Sequence, residues 1–152
     1  MPPKRFPRRL ARAPIPLFKH GLGGLLGPRV LMLQHRGRRS GLARYVVLEV
    51  VGRTPEAVTV VSGYAGKAQW FRNVQADPAV RVWTGRRVDV AAHAEVLPAD
   101  EARSTLEDYR QHHRRAARAL GKVLGIEDLT SDEPLPPDIA DRLPLVRLAY
   151  DD

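Results

Sequence analysis

Six short apolar segments, each bounded by glycine, proline or charged residues, constrain the fold of this sequence most strongly. Apolar runs of this length, bounded by turn-forming residues, predict strands that are buried in a sheet. The predicted strands are residues 30–34, 45–51, 57–62, 80–83, 88–96 and 144–149. The turn Thr84-Gly85-Arg86 predicts a hairpin between the fourth and fifth strands, so antiparallel pairing is expected.

Two helical patterns interrupt the strands. Residues 67–76 predict a short helix that ends at Asp77, since the residue before Pro78 is disfavoured in the helical region. Residues 98–124 predict one long helix, whose apolar residues recur at a spacing of three and four. Its predicted inward stripe is Ala102, Leu106, Tyr109, His113, Ala116 or Ala117, Leu120 and Leu124. A strand-rich core interrupted by helices predicts an α+β fold, a mostly antiparallel barrel of five or six strands with flanking helices.

The chain of 152 residues is about the size of one domain, and its charge is unevenly distributed along the sequence. Of its 25 Lys and Arg residues, eleven precede the first acidic residue, Glu49, and the formal net charge is +8. A basic front favours an anionic partner, which could be nucleic acid, a lipid surface or a phosphorylated cofactor. Cysteine is absent, which excludes disulfide bonds and thiolate chemistry.

Residues 1–29 predict a basic N-terminal arm with one short helix, and residues 30–152 predict the single folded domain. Arginines close to Phe6 and Phe18 suit peripheral contact of residues 4–29 with an anionic membrane surface, and packing across a barrel end is the alternative. No uncharged run approaches the roughly 20 residues that a spanning helix needs. We therefore expect a cytoplasmic protein, with any membrane contact at the inner face.

The turn between the first two predicted strands, residues 36–41, concentrates the candidate binding chemistry. Its sequence Arg-Gly-Arg-Arg-Ser-Gly holds three guanidinium groups and one hydroxyl, and Gly37 and Gly41 can adopt positive φ and direct backbone N–H groups outward. We name these six residues the arginine turn. Such a turn suits a multiply charged anion, although a basic hairpin tip can also serve solubility alone. A second loop, residues 62–66, precedes the helix that carries Trp70 and would expose further N–H donors.

Several classes of enzyme chemistry lack their motifs in this sequence. There is no GxxxxGK(S/T) phosphate loop and no Ser-His-Asp order on a nucleophile elbow. Asp108 and His112 lie one helical turn apart, but two ligands do not make a zinc site. Few aromatic residues accompany the basic front, which disfavours a stacking platform for nucleic acid. No metal and no nucleic-acid partner are therefore expected.

Two motifs of the sequence resemble the signatures of one family. Gly37-Arg38-Arg39-Ser40-Gly41 with Arg44 is similar to Gly-Arg-Lys-Ser-Gly-x-x-Arg, and residues 70–78, which follow Ser62-Gly63, are similar to Trp-Tyr-x-Asn-Leu-x-Ala-x-Pro. Both signatures are those of the deazaflavin-dependent nitroreductases, which are split β-barrel oxidoreductases that use coenzyme F420. The resemblance extends over roughly residues 22–148, and it implies a split β-barrel.

The resemblance also implies a cofactor-binding site and a reaction. F420 carries a phosphodiester and an oligoglutamate tail, which agrees with the basic character of the arginine turn. By resemblance, the tail and phosphate would be bound by Arg38, Arg39, Ser40, Gly41 and Arg44. The deazaflavin ring would be lined by Ser62, Gly63, Lys67 and Trp70, while Asn73 would fix its helix to a neighbouring strand. The implied reaction is hydride transfer from C5 of the reduced deazaflavin to an electron-poor small molecule, such as an enone, a quinone or a nitro compound.

Two tyrosines are the candidates for protonating the product of that transfer. Tyr109 lies on the inward stripe of the long predicted helix, and Tyr64 lies in the loop before the short one. Tyr109 can equally form only a wall of the substrate pocket. Small split barrels often pair, so a homodimer is a further expectation from the resemblance.

Two other functions stay open at this point. An FMN-dependent oxidoreductase of similar split-barrel shape would also use a basic phosphate loop, but the number of arginines near the turn favours an anion longer than FMN. A non-enzymatic module that binds nucleic acid or an anionic membrane through residues 4–44 is the other alternative.

Overall fold

Six antiparallel strands close into a barrel in the computed structural model, which describes residues 29–151. The strands are β1 (Val30–Arg36), β2 (Ala43–Arg53), β3 (Ala57–Val61), β4 (Ala79–Thr84), β5 (Arg87–Val96) and β6 (Leu145–Tyr150). Their order around the barrel is β1-β2-β3-β6-β5-β4, and β4 closes the barrel by pairing with β1. The predicted α+β barrel is confirmed, whereas residues 1–28 of the predicted N-terminal arm lie outside the described residues.

The barrel interior is built from alternate residues of the strands, because successive side chains of a strand point to opposite faces. Leu31 and Leu33 of β1 belong to this interior cluster together with Val80 and Val82 of β4, and Leu33 pairs with Val82. Helix α1 (Gln69–Ala76) adds Trp70, Phe71 and Val74 to the same cluster. Burial of these three side chains fixes α1 against the barrel.

The alternation of buried and exposed side chains that is typical of a strand holds only in the middle of β5. Ala92 is buried, but Val88 and Val96 are 47% and 40% exposed. The pairing of β4 with β5 shifts register near the start of β5, and Asp89 in this region adopts a φ of 55°. An extra residue on one strand changes the direction of its neighbours, which explains the exposure of Val88. Gly85 adopts a φ of 58° in the hairpin before this strand, and that predicted hairpin is confirmed.

The long helix predicted for residues 98–124 is wrong, because two helices occupy this segment. Helix α2 (Ala99–His112) and helix α3 (Arg114–Leu124) meet at His113, whose φ of −135° and ψ of 58° are not helical. His113 is exposed rather than part of an inward stripe. A continuous helix over these residues would be about 40 Å long, which exceeds the width of a small domain. The break lets both halves pack on the same body.

An outer cluster of apolar side chains joins these helices to the barrel. Leu106 and Tyr109 of α2 and Ala117 of α3 pack with Val61 and Leu145 of the strands. A 3₁₀ turn at Glu127–Thr130 and helix α4 (Ile139–Arg142) complete this cluster. In the described part of the chain, no helix is long and apolar enough to cross a membrane.

Gly121 sets how closely α3 approaches the segment that follows it. A Cβ at this position would lie 2.7 Å from the carbonyl oxygen of Ile126 and 3.1 Å from the Cβ of Leu129. Alanine is the better helix former by about 1 kcal/mol. We nevertheless expect Gly121→Ala to lower the free energy of unfolding by about 1–3 kcal/mol, because the contact forces the backbone apart. Chemical denaturation measures this difference.

Gly52→Ala is the matched control, because a Cβ there meets no atom closer than 3.6 Å. At such a site the lost freedom of the unfolded chain raises stability by about 0.4–1 kcal/mol. A stabilising Gly121→Ala substitution would contradict the packing explanation.

Candidate functional site

The two sequence motifs meet at one cleft of about 620 Å³. The cleft lies where the end of β1, the arginine turn and α1 come together. It is lined by His35, Gly37, Arg38, Arg39, Ser40, Arg44, Tyr45, Val46, Gln69, Trp70 and Asn73. The guanidinium groups of the first motif and the indole of the second therefore border the same space.

Hydrogen bonds across the arginine turn fix its backbone. The N–H of Gly37 donates to the carbonyl oxygen of Leu42 at 2.9 Å, and the N–H of Gly41 donates to that of Gly37 at 2.8 Å. Gly41 adopts a φ of 71°, as predicted, whereas Gly37 does not adopt a positive φ. A Cβ at Gly37 would lie 2.6 Å from Oγ of Ser40, so a larger residue there would displace this hydroxyl.

Arg39 and Arg44 supply positive charge that no acid of the described chain neutralises. Both side chains are exposed, and neither forms an ion pair within residues 29–151. Arg81 and Arg147, by contrast, pair with Asp89 and Glu101. A guanidinium group offers five N–H donors in a planar fork that matches phosphate and carboxylate groups. The rim of the cleft is therefore suited to an anion.

Arg38 is held against α1 by two neutral side-chain amides. Its Nη1 donates to Oε1 of Gln69 at 2.9 Å and to Oδ1 of Asn73 at 2.8 Å. Its backbone N–H donates to the same Oδ1 at 3.2 Å. Neutral acceptors orient the guanidinium without cancelling its charge. Neither Nε nor Nη2 of Arg38 has an acceptor in the described chain, so three N–H donors are left for a ligand.

Asn73 also joins α1 to β1, as the sequence predicted. Its Nδ2 lies 3.0 Å from Nδ1 of His35. Arg38 can only donate hydrogen bonds, so Oδ1 of Asn73 must face Arg38 and Nδ2 must face His35. Nδ1 of His35 therefore accepts, and the ring carries its proton on Nε2. Burial, together with the charge of Arg44, lowers the pKa of His35 to about 4 and keeps the ring neutral at pH 7.

Trp70 gives the cleft an apolar wall. Its indole is 6% exposed and meets the ring of Phe71 edge-on, with 5.9 Å between the ring centroids. Val46 and Tyr45 of β2 line the same cleft. A cationic rim and an apolar wall are thus adjacent, which is the arrangement that a flat molecule with an anionic tail requires.

Three of the residues predicted to line the deazaflavin ring do not line this cleft. Ser62 is fully buried, and its hydroxyl donates to the carbonyl oxygen of Gly63 at 3.3 Å. Gly63 packs against Leu124 of α3, where a Cβ would lie 2.6 Å from a methyl group. Lys67 is exposed between the 3₁₀ turn Tyr64–Gly66 and α1. Contact of Ser62, Gly63 and Lys67 with a ring stays a prediction.

Tyr109 lies in the outer cluster and does not line this cleft. Its hydroxyl donates to Oε1 of Glu49 at 3.0 Å, and Glu49 also pairs with Arg29 at 3.4 Å. Burial, and then the negative charge of Glu49, raise the pKa of Tyr109 above its ordinary value. Proton donation by Tyr109 stays a prediction. The side chain of Tyr64, the second candidate, lies outside the described residues.

Sequence reasoning missed His35 and Gln69 as residues of this site. His35 is the one polar side chain of β1 that is buried, and it directly precedes the arginine turn. That position, at the end of an apolar strand and beside a basic loop, is the signal that could have found it. Gln69 carries no comparable signal, because its contact with Arg38 depends on how α1 lies against the turn.

Several solved structures share the fold of this chain. An F420-H2 dependent reductase, FDR-A, aligns with a TM-score of 0.53 and 20% identity, over 79% of this chain and 93% of its own. A protein solved as a domain-swapped dimer aligns with a TM-score of 0.56 and 21% identity, over 88% of this chain and 92% of its own. A pyridoxamine 5'-phosphate oxidase-related, FMN-binding protein from Nostoc punctiforme aligns with a TM-score of 0.55 and 16% identity, over 91% and 79%. The predicted split β-barrel is confirmed.

Sequence comparison identifies the family. No curated protein matches the sequence. The family of F420H(2)-dependent quinone reductases matches residues 19–121, which is more than half of the chain and includes the arginine turn, Arg44 and Trp70. The resemblance that the two motifs indicated is confirmed, and the chain belongs to the F420H(2)-dependent quinone reductase family.

Proposed function

We propose that this protein binds reduced F420 in the cleft between the arginine turn and α1 and transfers a hydride to a quinone or another electron-poor small molecule. Its family makes the chain an F420-dependent oxidoreductase. The observation that supports the assignment to this cleft is that the Trp70 indole lies next to guanidinium groups that have no acidic partner among the described residues.

The residues of the cleft fit the two chemically different ends of F420. Its phosphodiester and oligoglutamate tail need several fixed donors, and Arg39, Arg44 and the three remaining N–H groups of Arg38 can supply them. Each hydrogen bond to a charged partner contributes about 1.5–3 kcal/mol. The deazaflavin ring is flat and largely apolar, and the Trp70 wall of the cleft suits it.

The protein has little chemistry of its own to perform in this reaction. Reduced F420, when bound, supplies the hydride from its C5 atom. The chain has to align the ring with the acceptor and exclude water, which Trp70 and Val46 can do. Among residues 29–151, no aspartate or glutamate lines the cleft, and His35 is neutral. We therefore place solvent ahead of Tyr109 as the source of the proton that completes the reduction.

We further propose a small-molecule substrate, a homodimer and a cytoplasmic location with peripheral membrane contact. The substrate is a small molecule, in keeping with the family. A homodimer is supported only by the structural likeness to a protein solved as a domain-swapped dimer. A cytoplasmic location with peripheral membrane contact through residues 4–29 is supported only by the basic composition of that segment. Light scattering and vesicle sedimentation of the full chain address these points.

The first test is titration of the purified protein with F420 and with FMN, followed by fluorescence. We expect F420 to bind and FMN to bind weakly or not at all, because FMN lacks the long acidic tail that the arginines match. With reduced F420 and a soluble quinone, we expect the absorbance of oxidised F420 to return. Binding of FMN alone would replace the proposal with an FMN enzyme, and binding of neither would contradict both.

The second test removes the unpaired cations of the rim. We expect Arg39→Ala combined with Arg44→Ala to weaken F420 binding by about 100-fold at low salt, since two sets of charge-assisted hydrogen bonds are lost. The combination of Arg86→Ala and Arg118→Ala removes the same charge from two exposed arginines that do not line the cleft. Arg86 lies at the opposite end of β1 from the arginine turn, as the pairing of Met32 with Trp83 shows. Equal losses in both variants would mean that net charge, not the cleft, binds the cofactor.

A further inference from the structure

One buried imidazole of the cleft has no part in the proposed hydride transfer. His35 is 5% exposed and lies on β1, opposite Arg44 of β2 and against Asn73 of α1. Arg44 is the charged residue closest to it in the pairing of the strands, and Arg38 approaches it through Asn73. If His35 only stabilised the core, an apolar side chain could replace it. Its hydrogen bond to Asn73 therefore indicates a further role.

The orientation of the Asn73 amide decides whether Arg38 is held. In the observed orientation, Oδ1 accepts from both the backbone N–H and Nη1 of Arg38. Rotating the amide by half a turn would set the Nδ2 donors against two donors of Arg38, and both hydrogen bonds would be lost. On the other side of the amide, the His35 tautomer with its proton on Nε2 presents Nδ1 as an acceptor for Nδ2, which favours the observed orientation.

We propose that His35 is a positioning residue, which through Asn73 holds the Arg38 guanidinium ready for the anionic part of F420. This inference rests on the proposed function of the cleft. Arg38 keeps its charge, because Gln69 and Asn73 are neutral, and it keeps three N–H donors for the ligand. A side chain that is already ordered loses less conformational entropy on binding than a free arginine does. The contribution of His35 is therefore to the affinity for F420 and not to the hydride transfer.

Substitution of His35 separates this role from a general effect on folding. His35→Leu and His35→Ala remove the acceptor and differ in volume, whereas His35→Asn places an amide oxygen where Nδ1 stands and retains the acceptor. We expect the two apolar variants to bind F420 about 10-fold more weakly in a fluorescence titration and His35→Asn to bind within about threefold of the wild type. With a soluble quinone, we expect a raised KM for F420 and an unchanged kcat for the apolar variants.

A double-mutant cycle tests whether His35 acts through Arg38. We expect His35→Leu to have no further effect on F420 affinity in an Arg38→Ala background, because the group that it positions is absent. A second measurement needs no cofactor. The amide hydrogen of Arg38, which donates to Asn73, should exchange faster in His35→Leu than in the wild type, while that of Gly41, which donates to Gly37, should not change.

The outcomes distinguish the inference from the function on which it rests. A wild type that binds F420, with His35→Leu and His35→Ala that bind it equally well, would overturn the positioning role and leave the proposed function intact. An undiminished effect of His35→Leu in the Arg38→Ala background would also overturn it. A wild type that does not bind F420 would overturn both.

Discussion

The side-chain amide of Asn73 is the contact on which the site depends, because it joins three parts of the chain that the barrel alone would leave separate. It forms hydrogen bonds with His35 at the end of β1 and with Arg38 in the arginine turn. Asn73 itself belongs to α1, the helix that carries Trp70. Asn73 is 5% exposed, and its hydrogen bond to His35 is buried, whereas those to Arg38 are partly buried. Without them, the basic turn would be an ordinary hairpin tip.

The arrangement of charge around the cleft supports a binding role over a purely structural one. Arg81 and Arg147 have acidic partners within a few ångströms, as surface arginines commonly do. Arg39 and Arg44 have none among the described residues, and the side chain of Arg38 is oriented by neutral groups only. Concentrated like charge destabilises a folded protein, and a bound anion would offset the repulsion among these arginines.

The sequence was informative where local chemistry determines the outcome. Apolar runs bounded by turn residues predicted all six strands, and Gly41 was correctly placed in the left-handed region. The motifs that contain Arg38 and Trp70 indicated one site, and both line the same cleft. These features depend on backbone conformation and strand periodicity, which a short stretch of sequence determines.

Features that depend on packing between distant residues could not be predicted. The break at His113 could not be predicted from the apolar period of residues 98–124, which runs through it. The close approach of Gly63 to Leu124 directs that loop toward α3 and away from the cleft. The orientation of the Asn73 amide became evident only once Arg38 and His35 were both in contact with it.

Fluorescence of the two tryptophans offers the most direct test of the claim that the redox ring lies beside the indole of α1. The sequence contains only Trp70 and Trp83, and Trp83 lies in a different apolar cluster, with Met32. In Trp83→Phe, where Trp70 is the only indole, F420 should quench the emission. In Trp70→Phe the emission of Trp83, which lies behind the cleft residue Tyr45 with 6.2 Å between ring centroids, should be quenched less strongly. Quenching of Trp83 alone would contradict this account.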